Sequence, residues 1–135
     1  IADLKSAGIR VSLFIEPDVR AIEVAAALHA DIVELHTGAY CEYAAADDAK
    51  GVAHEVSRLA KAAAEAAAAG LEVHAGHGLT FNTVAPLARM PEVVELNIGH
   101  FLIGEAIFGG LHAAVRRMRA LMDEARLKVA GRLSA

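Results

Sequence analysis

The sequence predicts an α/β protein whose strands run parallel, and three observations carry this. Four apolar segments, "RVSLFIEP", "DIVELHTG", "LEVHAGHG" and "VVELNIGH", read as strands. A helical pattern follows each of them, an alternation that favours right-handed βαβ crossovers and a sheet covered by helices. No linker or low-complexity stretch divides the 135 residues, so residues 1–135 read as one structural unit with a βα repeat of irregular length. An open doubly wound sheet and half of a (β/α) barrel both fit this order.

Taken in order, "IADLKSAGIR" reads as the last turns of a helix already under way, as in a piece of a larger chain. Pro17 and Asp18 end the first strand and suit the start of a helix from about Asp18 to Leu28. After the second strand, Tyr40 and Cys41 are expected in a loop. A long helix then runs from about Asp47 to Ala69 and stops at Gly70. The third strand leads to a short helix, about Phe81 to Ala88. The fourth leads through a glycine-bearing loop, "IGHFLIG", to a helix from about Leu111 to Val129, on which Arg116, Arg117 and Arg119 form a solvated face.

Composition excludes several classes. Hydrophobic residues make up 56% and charged residues 22%, a balance of globular rather than disordered chains. A formal charge of −4 gives no electrostatic case for a nucleic-acid partner. Lys61 and Glu65 interrupt the alanine-rich "AKAAAEAAAAG", so no run reaches the roughly 18 apolar residues of a membrane span, and no signal peptide is expected. Cys41 is the single cysteine; no intrachain disulfide can form, and a reducing compartment is expected.

The strand ends carry the chemistry. Alternate strand residues share a face, so Val33 and Leu35 point towards the covering helices while Glu34 and His36 point away. The same rule groups Val94, Leu96 and Ile98, and sets Glu95 with Asn97. A carboxylate in a parallel strand needs a reason. It is either a structural ion pair or part of a ligand site of the kind built at the carboxyl ends of α/β strands. The loops "AGHGLT" and "IGHFLIG" offer backbone N–H groups with no Cβ in the way, a plausible phosphate cradle on neighbouring strands. His77 adds an imidazole, a side chain able to carry a proton in acid–base steps. His74, facing opposite to His77, reads equally as a hydrogen-bonded interior histidine or as a functional one. His29, His54 and His112 fall in helical segments and read as surface or packing residues. Glu34, His36, His74, His77 and His100 could converge at one mouth, but no HxH or HExxH spacing supports a metal. A nucleophilic Cys41 would need a partner that the sequence does not place.

At these residues the sequence resembles the pyridoxine 5'-phosphate synthase family of vitamin B6 biosynthesis. The matching blocks are "RVSLFIEP", "VELHTGAY", "EVHAGHGLT" and "ELNIGHFLIGEAIFGGL", in the family's order over nearly the whole chain. The resemblance implies a (β/α) TIM barrel with extra helices, of which this chain is the second half, strands five to eight with their helices. It implies a condensation of 3-amino-2-oxopropyl phosphate with 1-deoxy-D-xylulose 5-phosphate, in which water and one phosphate leave and pyridoxine 5'-phosphate forms. By motif, His77 is similar to the family's general acid and Glu34 to its transition-state-stabilising carboxylate. Gly78, Gly99 and His100 match its site for aminooxopropyl phosphate. His36 and Asn97 are further candidate site residues. The resemblance implies no redox or metal cofactor, a homo-oligomer and a cytoplasmic location. The family's first-half residues are absent from these 135 residues, so the chain alone is expected to have little or no synthase activity.

Two other readings remain open on the sequence. One is a non-catalytic half-barrel module that assembles through its sheet edges and retains only phosphate binding. The other is a different phosphosugar isomerase or aldolase on the same fold, although no strand carries a lysine for a Schiff base.

Overall fold

The β-branched and aromatic runs of the sequence form four short strands, and the computed structural model describes residues 1–133. In chain order the elements are α1 (Ala2–Ser6), β1 (Ser12–Ile15), α2 (Val19–Ala27), β2 (Ile32–His36), α3 (Gly38–Ala45), α4 (Ala49–Ala68), β3 (Glu72–Gly76), α5 (Val84–Ala88), β4 (Val93–Asn97), α6 (His100–Gly109) and α7 (Leu111–Leu133). All strand pairs are parallel and lie in the order β1-β2-β3-β4, with no reversal of the kind that defines a doubly wound sheet.

Local chemistry explains where the helices start and stop. The Asp18 carboxylate accepts from the N–H groups of Arg20 and Ala21, and that of Asp48 from Lys50 and Gly51. Each such cap is worth about 1 kcal/mol. Gly70 follows α4 with φ 82°, the left-handed residue that ends a helix at little cost. At the far end Arg126 of α7 donates to the carbonyls of Met90 and Val93, clamping α7 over the start of β4.

The strand period separates two faces. Leu13, Val33, Val73 and Val93 form one row across the sheet, and Ile15, Leu35, Ala75 and Leu96 the next. These rows pack with Ile22 and Ala25 of α2, with Leu59, Ala62, Ala63 and Ala66 of α4, and with Leu87 of α5. Alanine on the inner stripe of α4 keeps that helix close to the strands. The opposite face carries Phe14, Glu34, His36, His74, Glu95 and Asn97. Phe14 is 55% exposed, as expected of a sheet face that no described helix covers.

The structure corrects four expectations. Tyr40 and Cys41 lie in helix α3, because the chain turns directly from Thr37 into helical backbone at Gly38. The glycine-bearing segment after β4 is also a helix, α6, beginning at His100. In β4, Val93 pairs with Val73 while His74 pairs with Glu95, so Val94 is an extra, bulged residue and is 64% exposed. Val93 therefore takes the core place expected of Val94, whereas Glu95 and Asn97 do share a face. The third expected helix is shortened to Val84–Ala88, because Thr83 Oγ1 accepts from Thr80 N and holds the preceding residues in a turn. No described helix is long and apolar enough to cross a membrane.

Candidate active site

Glu34 stands on the uncovered face two residues before the end of β2. Asn97 at the end of β4 donates from Nδ2 to its Oε2 at 2.9 Å. Its Oε1 lies over Gly76, where an added Cβ would collide with that oxygen. The bare backbone of β3 thus makes room for the carboxylate, and Asn97 fixes its direction. His74, paired with Glu34 across the sheet, is 6% exposed and points to two other carboxylates: Nε2 lies 2.8 Å from Glu72 and Nδ1 3.3 Å from Glu95. Hydrogen bonds from Arg10 and then from His74 hold the Glu72 carboxyl below the usual carboxylate range. His74 is a hydrogen-bonded interior histidine of this face and lines no part of the cleft at the strand ends.

The turn after β3 places His77. Its φ is 77° and that of Gly78 is 84°, two consecutive left-handed residues that tip the chain away from the strand. Thr37 is fully buried and holds this turn: its Oγ1 lies 2.8 Å from the Gly76 carbonyl and 2.6 Å from that of His77, and its N–H also donates to Gly76 at 2.8 Å. A Cβ on Gly78 would sit 3.1 Å from Cys41 Cβ, so the left-handed turn also packs tightly on α3. Replacing Thr37 with Val preserves its shape but removes the hydroxyl that reaches the Gly76 and His77 carbonyls, leaving the His77 carbonyl only the 3.9 Å contact from Cys41 Sγ. The expected loss is about 1–3 kcal/mol in unfolding free energy, read by denaturant titration.

A cleft of about 570 Å³ opens at these strand ends, lined by Phe14, Glu34, His77, Gly78, Leu79, Thr80, Asn97, Ile98, Gly99, His100 and Phe101. Gly99 is the N-cap of α6, so the unpaired N–H groups of that helix's first turn border the cleft. A Cβ on Gly99 would meet no atom within 4 Å. Phe101 stacks edge-on against Phe81 at 4.7 Å, and Arg117 lies 4.1 Å over the Phe81 ring, bracing this wall.

Of the residues singled out in the sequence, Glu34, His77, Gly78, Asn97, Gly99 and His100 share this one cleft. His36 does not line it, but its ring meets that of His77 with centroids 4.8 Å apart. Tyr40 and Cys41 are turned away from chemistry. The Tyr40 hydroxyl donates to the Thr83 carbonyl at 2.9 Å, and burial pushes its pKa up to about 12. Burial likewise pushes the Cys41 thiol up, which keeps it from being a ready thiolate. Phe14 and Thr37 were not singled out. The same period-two rule applied to β1 would have found Phe14, which pairs with Glu34 across the sheet. Among the described residues no group of three or more His, Cys, Asp or Glu side chains is placed to hold a metal ion.

Residues 1–124 match the family model for pyridoxal phosphate biosynthesis protein PdxJ. The chain belongs to this family. Curated relatives named pyridoxine 5'-phosphate synthase include those of Rhodospirillum rubrum, 61% identical over 93% of this chain, and Jannaschia sp., 59% identical over 93%. The relative from Caulobacter sp. strain K31 is 57% identical over 96%. The aligned part is 49% of the first of these relatives and 51% of the other two, so the chain spans about half their length. The PdxJ-family chain thus contributes one sheet of four parallel strands and a cleft at their carboxyl ends.

Proposed function

We propose that the full-length protein carrying this chain is a pyridoxine 5'-phosphate synthase. In this reading it condenses 3-amino-2-oxopropyl phosphate with 1-deoxy-D-xylulose 5-phosphate, releasing water and one phosphate as the pyridine ring closes. The observation that carries the reading is the single cleft at which Glu34, His77, Gly78, Gly99 and His100 meet. It combines a carboxylate, an imidazole and the start of a helix, which suit a cationic intermediate, a proton donation and a phosphate respectively. The family membership and the names of the relatives support the same activity.

The chain is the second half of a single (β/α)8 barrel domain, its β1 to β4 being strands five to eight. The unbroken parallel order and the one-sided cover of helices support this over a doubly wound sheet. Both edge strands lack a partner among the described residues, and Ile103, Ile107 and Phe108 of α6 are exposed. The other half of the barrel would cover such surface. The protein is cytoplasmic and a homo-oligomer in this reading.

Within the cleft His77 donates protons to the departing hydroxyl groups, which leave as water. Glu34 holds its negative charge beside the iminium-like centre formed when amine and ketone join. Gly78, Gly99 and His100 hold the phosphate of the aminooxopropyl substrate, with the α6 N–H groups and the His100 imidazole as donors. Asn97 orients Glu34 through their 2.9 Å hydrogen bond.

The test is to supply the full-length protein with both phosphorylated substrates and follow pyridoxine 5'-phosphate. Its formation is expected, with none from the 135-residue chain alone; no product from the full-length protein overturns the assignment. The cradle is tested separately by Gly99→Asp. The backbone at Gly99, φ −104° and ψ −68°, is open to any residue and an added Cβ meets no atom within 4 Å, so the fold is kept. Its carboxylate sets a negative charge at the start of α6 and repels phosphate, so the KM for aminooxopropyl phosphate should rise about tenfold or more. An unchanged KM removes Gly99 from the cradle.

A further inference from the structure

His77 has a poorly fixed side chain for a proton donor. It is exposed, sits on a left-handed residue, and among the described residues its imidazole has no hydrogen-bond partner; Thr37 and Cys41 reach only its carbonyl. A group that must transfer a proton in one direction needs a neighbour that holds its ring. In this site the neighbours are themselves rings. His36 meets His77 edge to face, with centroids 4.8 Å apart and planes at 63°, and Phe14 stands 5.1 Å from His36 and 6.1 Å from His77.

The ring of His36, in contrast, is tethered. Its Nδ1 lies 2.6 Å from Glu16 Oε1 just past the end of β1. Glu16 Oε2 lies 3.5 Å from Arg58 Nη2 on α4. Arg58 is in turn anchored on the nearly buried Glu55 through Nε at 3.0 Å and Nη2 at 2.8 Å, with a further bond to the Pro17 carbonyl at 3.4 Å. The far edge of the His36 ring is seated against Gly38, where a Cβ would come within 2.7 Å of Nε2. The hydrogen bond from His36, together with the weaker pull of Arg58, holds the Glu16 carboxyl below its usual range. As a carboxylate it can only accept, so Nδ1 of His36 carries the proton. A chain of four side chains therefore runs from the core-facing side of α4 to the mouth of the cleft, and its last member is the ring that His77 leans on.

We propose that His36, held by Glu16, Arg58 and Glu55, is a positioning residue for His77, forming the fixed wall that keeps its imidazole aimed into the cleft. This rests on the reading of His77 as the proton donor. His36 touches no substrate in this scheme, since it does not line the cleft. Its effect therefore falls on kcat rather than KM, and only while His77 is present.

The experiment is a double-mutant cycle in the full-length protein, using His36→Ala and His36→Phe, each alone and combined with His77→Asn. Rates are measured with both phosphorylated substrates. His36→Ala should lower kcat about tenfold with both KM values unchanged. His36→Phe keeps a ring in the wall but loses the tether, and should recover most of that loss. In the His77→Asn background neither change should lower kcat further. An equal loss in both backgrounds, or a raised KM without a change in kcat, overturns the proposal. So does a normal rate for His36→Ala beside a crippled His77→Asn, which leaves the reading of His77 standing. A normal rate for His77→Asn overturns that reading instead. If His36→Ala does not fold, Glu16→Ala loosens the same ring from a distance. A kcat loss of about threefold, absent when His77 is Asn, is then the expected result, and a loss independent of His77 overturns it.

Discussion

In the full-length protein, His77→Asn is expected to lower kcat by about 10²-fold or more while the KM for aminooxopropyl phosphate changes little. Asn suits this position for two reasons. The backbone at residue 77 has φ 77°, a region where Asn is among the best tolerated side chains, so the turn and the Thr37 contacts to it survive. The amide also preserves some of the polarity and bulk of the imidazole while being unable to release a proton near neutral pH. Alanine would confound loss of the donor with strain in the turn. Pre-steady-state product formation is the decisive readout, since it isolates the chemical steps from release. An unchanged rate removes His77 from the chemistry and shifts attention to groups outside this chain.

The second large effect is expected from Glu34→Gln. The substitution keeps the shape of the side chain and leaves an oxygen to accept from Asn97 Nδ2, so the 2.9 Å contact persists. What is lost is the negative charge that the proposed mechanism sets beside a developing positive centre. Such preorganised charge is typically worth about 10²–10³ in kcat. The substitution also separates two roles that geometry alone leaves together, for Glu34 lies in the same cleft as His77. If Glu34 only buttressed the sheet, Gln would serve as well and kcat would stay near the parent value. A kcat near the parent value identifies that outcome directly, and equal stability of parent and variant by denaturant titration shows that a lost rate is not lost folding.

The strands and their facing were legible because each carries a short, bounded apolar run with an acid or imidazole at alternating places. Glu34, His77 and Asn97 could be located from parity and glycine alone. The helices α3 and α6 were not legible, and the cause is compositional. "GAYCEYAA" opens on a glycine that reads as a loop and gathers its apolar residues on no single stripe. "HFLIGEAIFG" is apolar almost all round, so no face stands out. The bulge at Val94 was hidden because strict alternation is the rule by which strands are read, and an inserted residue breaks that rule without leaving a polar mark. Glu16 and Arg58 were equally invisible as a pair: 42 residues separate them, and only the packing of α4 across the sheet brings them to 3.5 Å.

The bulge in β4 makes that strand uneven in its tolerance of insertions and deletions. Between Val93, opposite Val73, and Leu96, opposite Ala75, β4 has one residue more than β3. Losing either Val94 or Glu95 would restore plain alternation and leave Leu96 against the helices and Asn97 turned towards Glu34. No such slack exists in β2, where Ile32 to Leu35 pair one for one with both neighbours. Removing a single residue between Val33 and Leu35 there would take away the carboxylate and exchange the two faces of the rest of the strand, turning His36 into the core. Changes of chain length in descendants of this sequence are therefore expected to collect in the fourth strand and to be purged from the second.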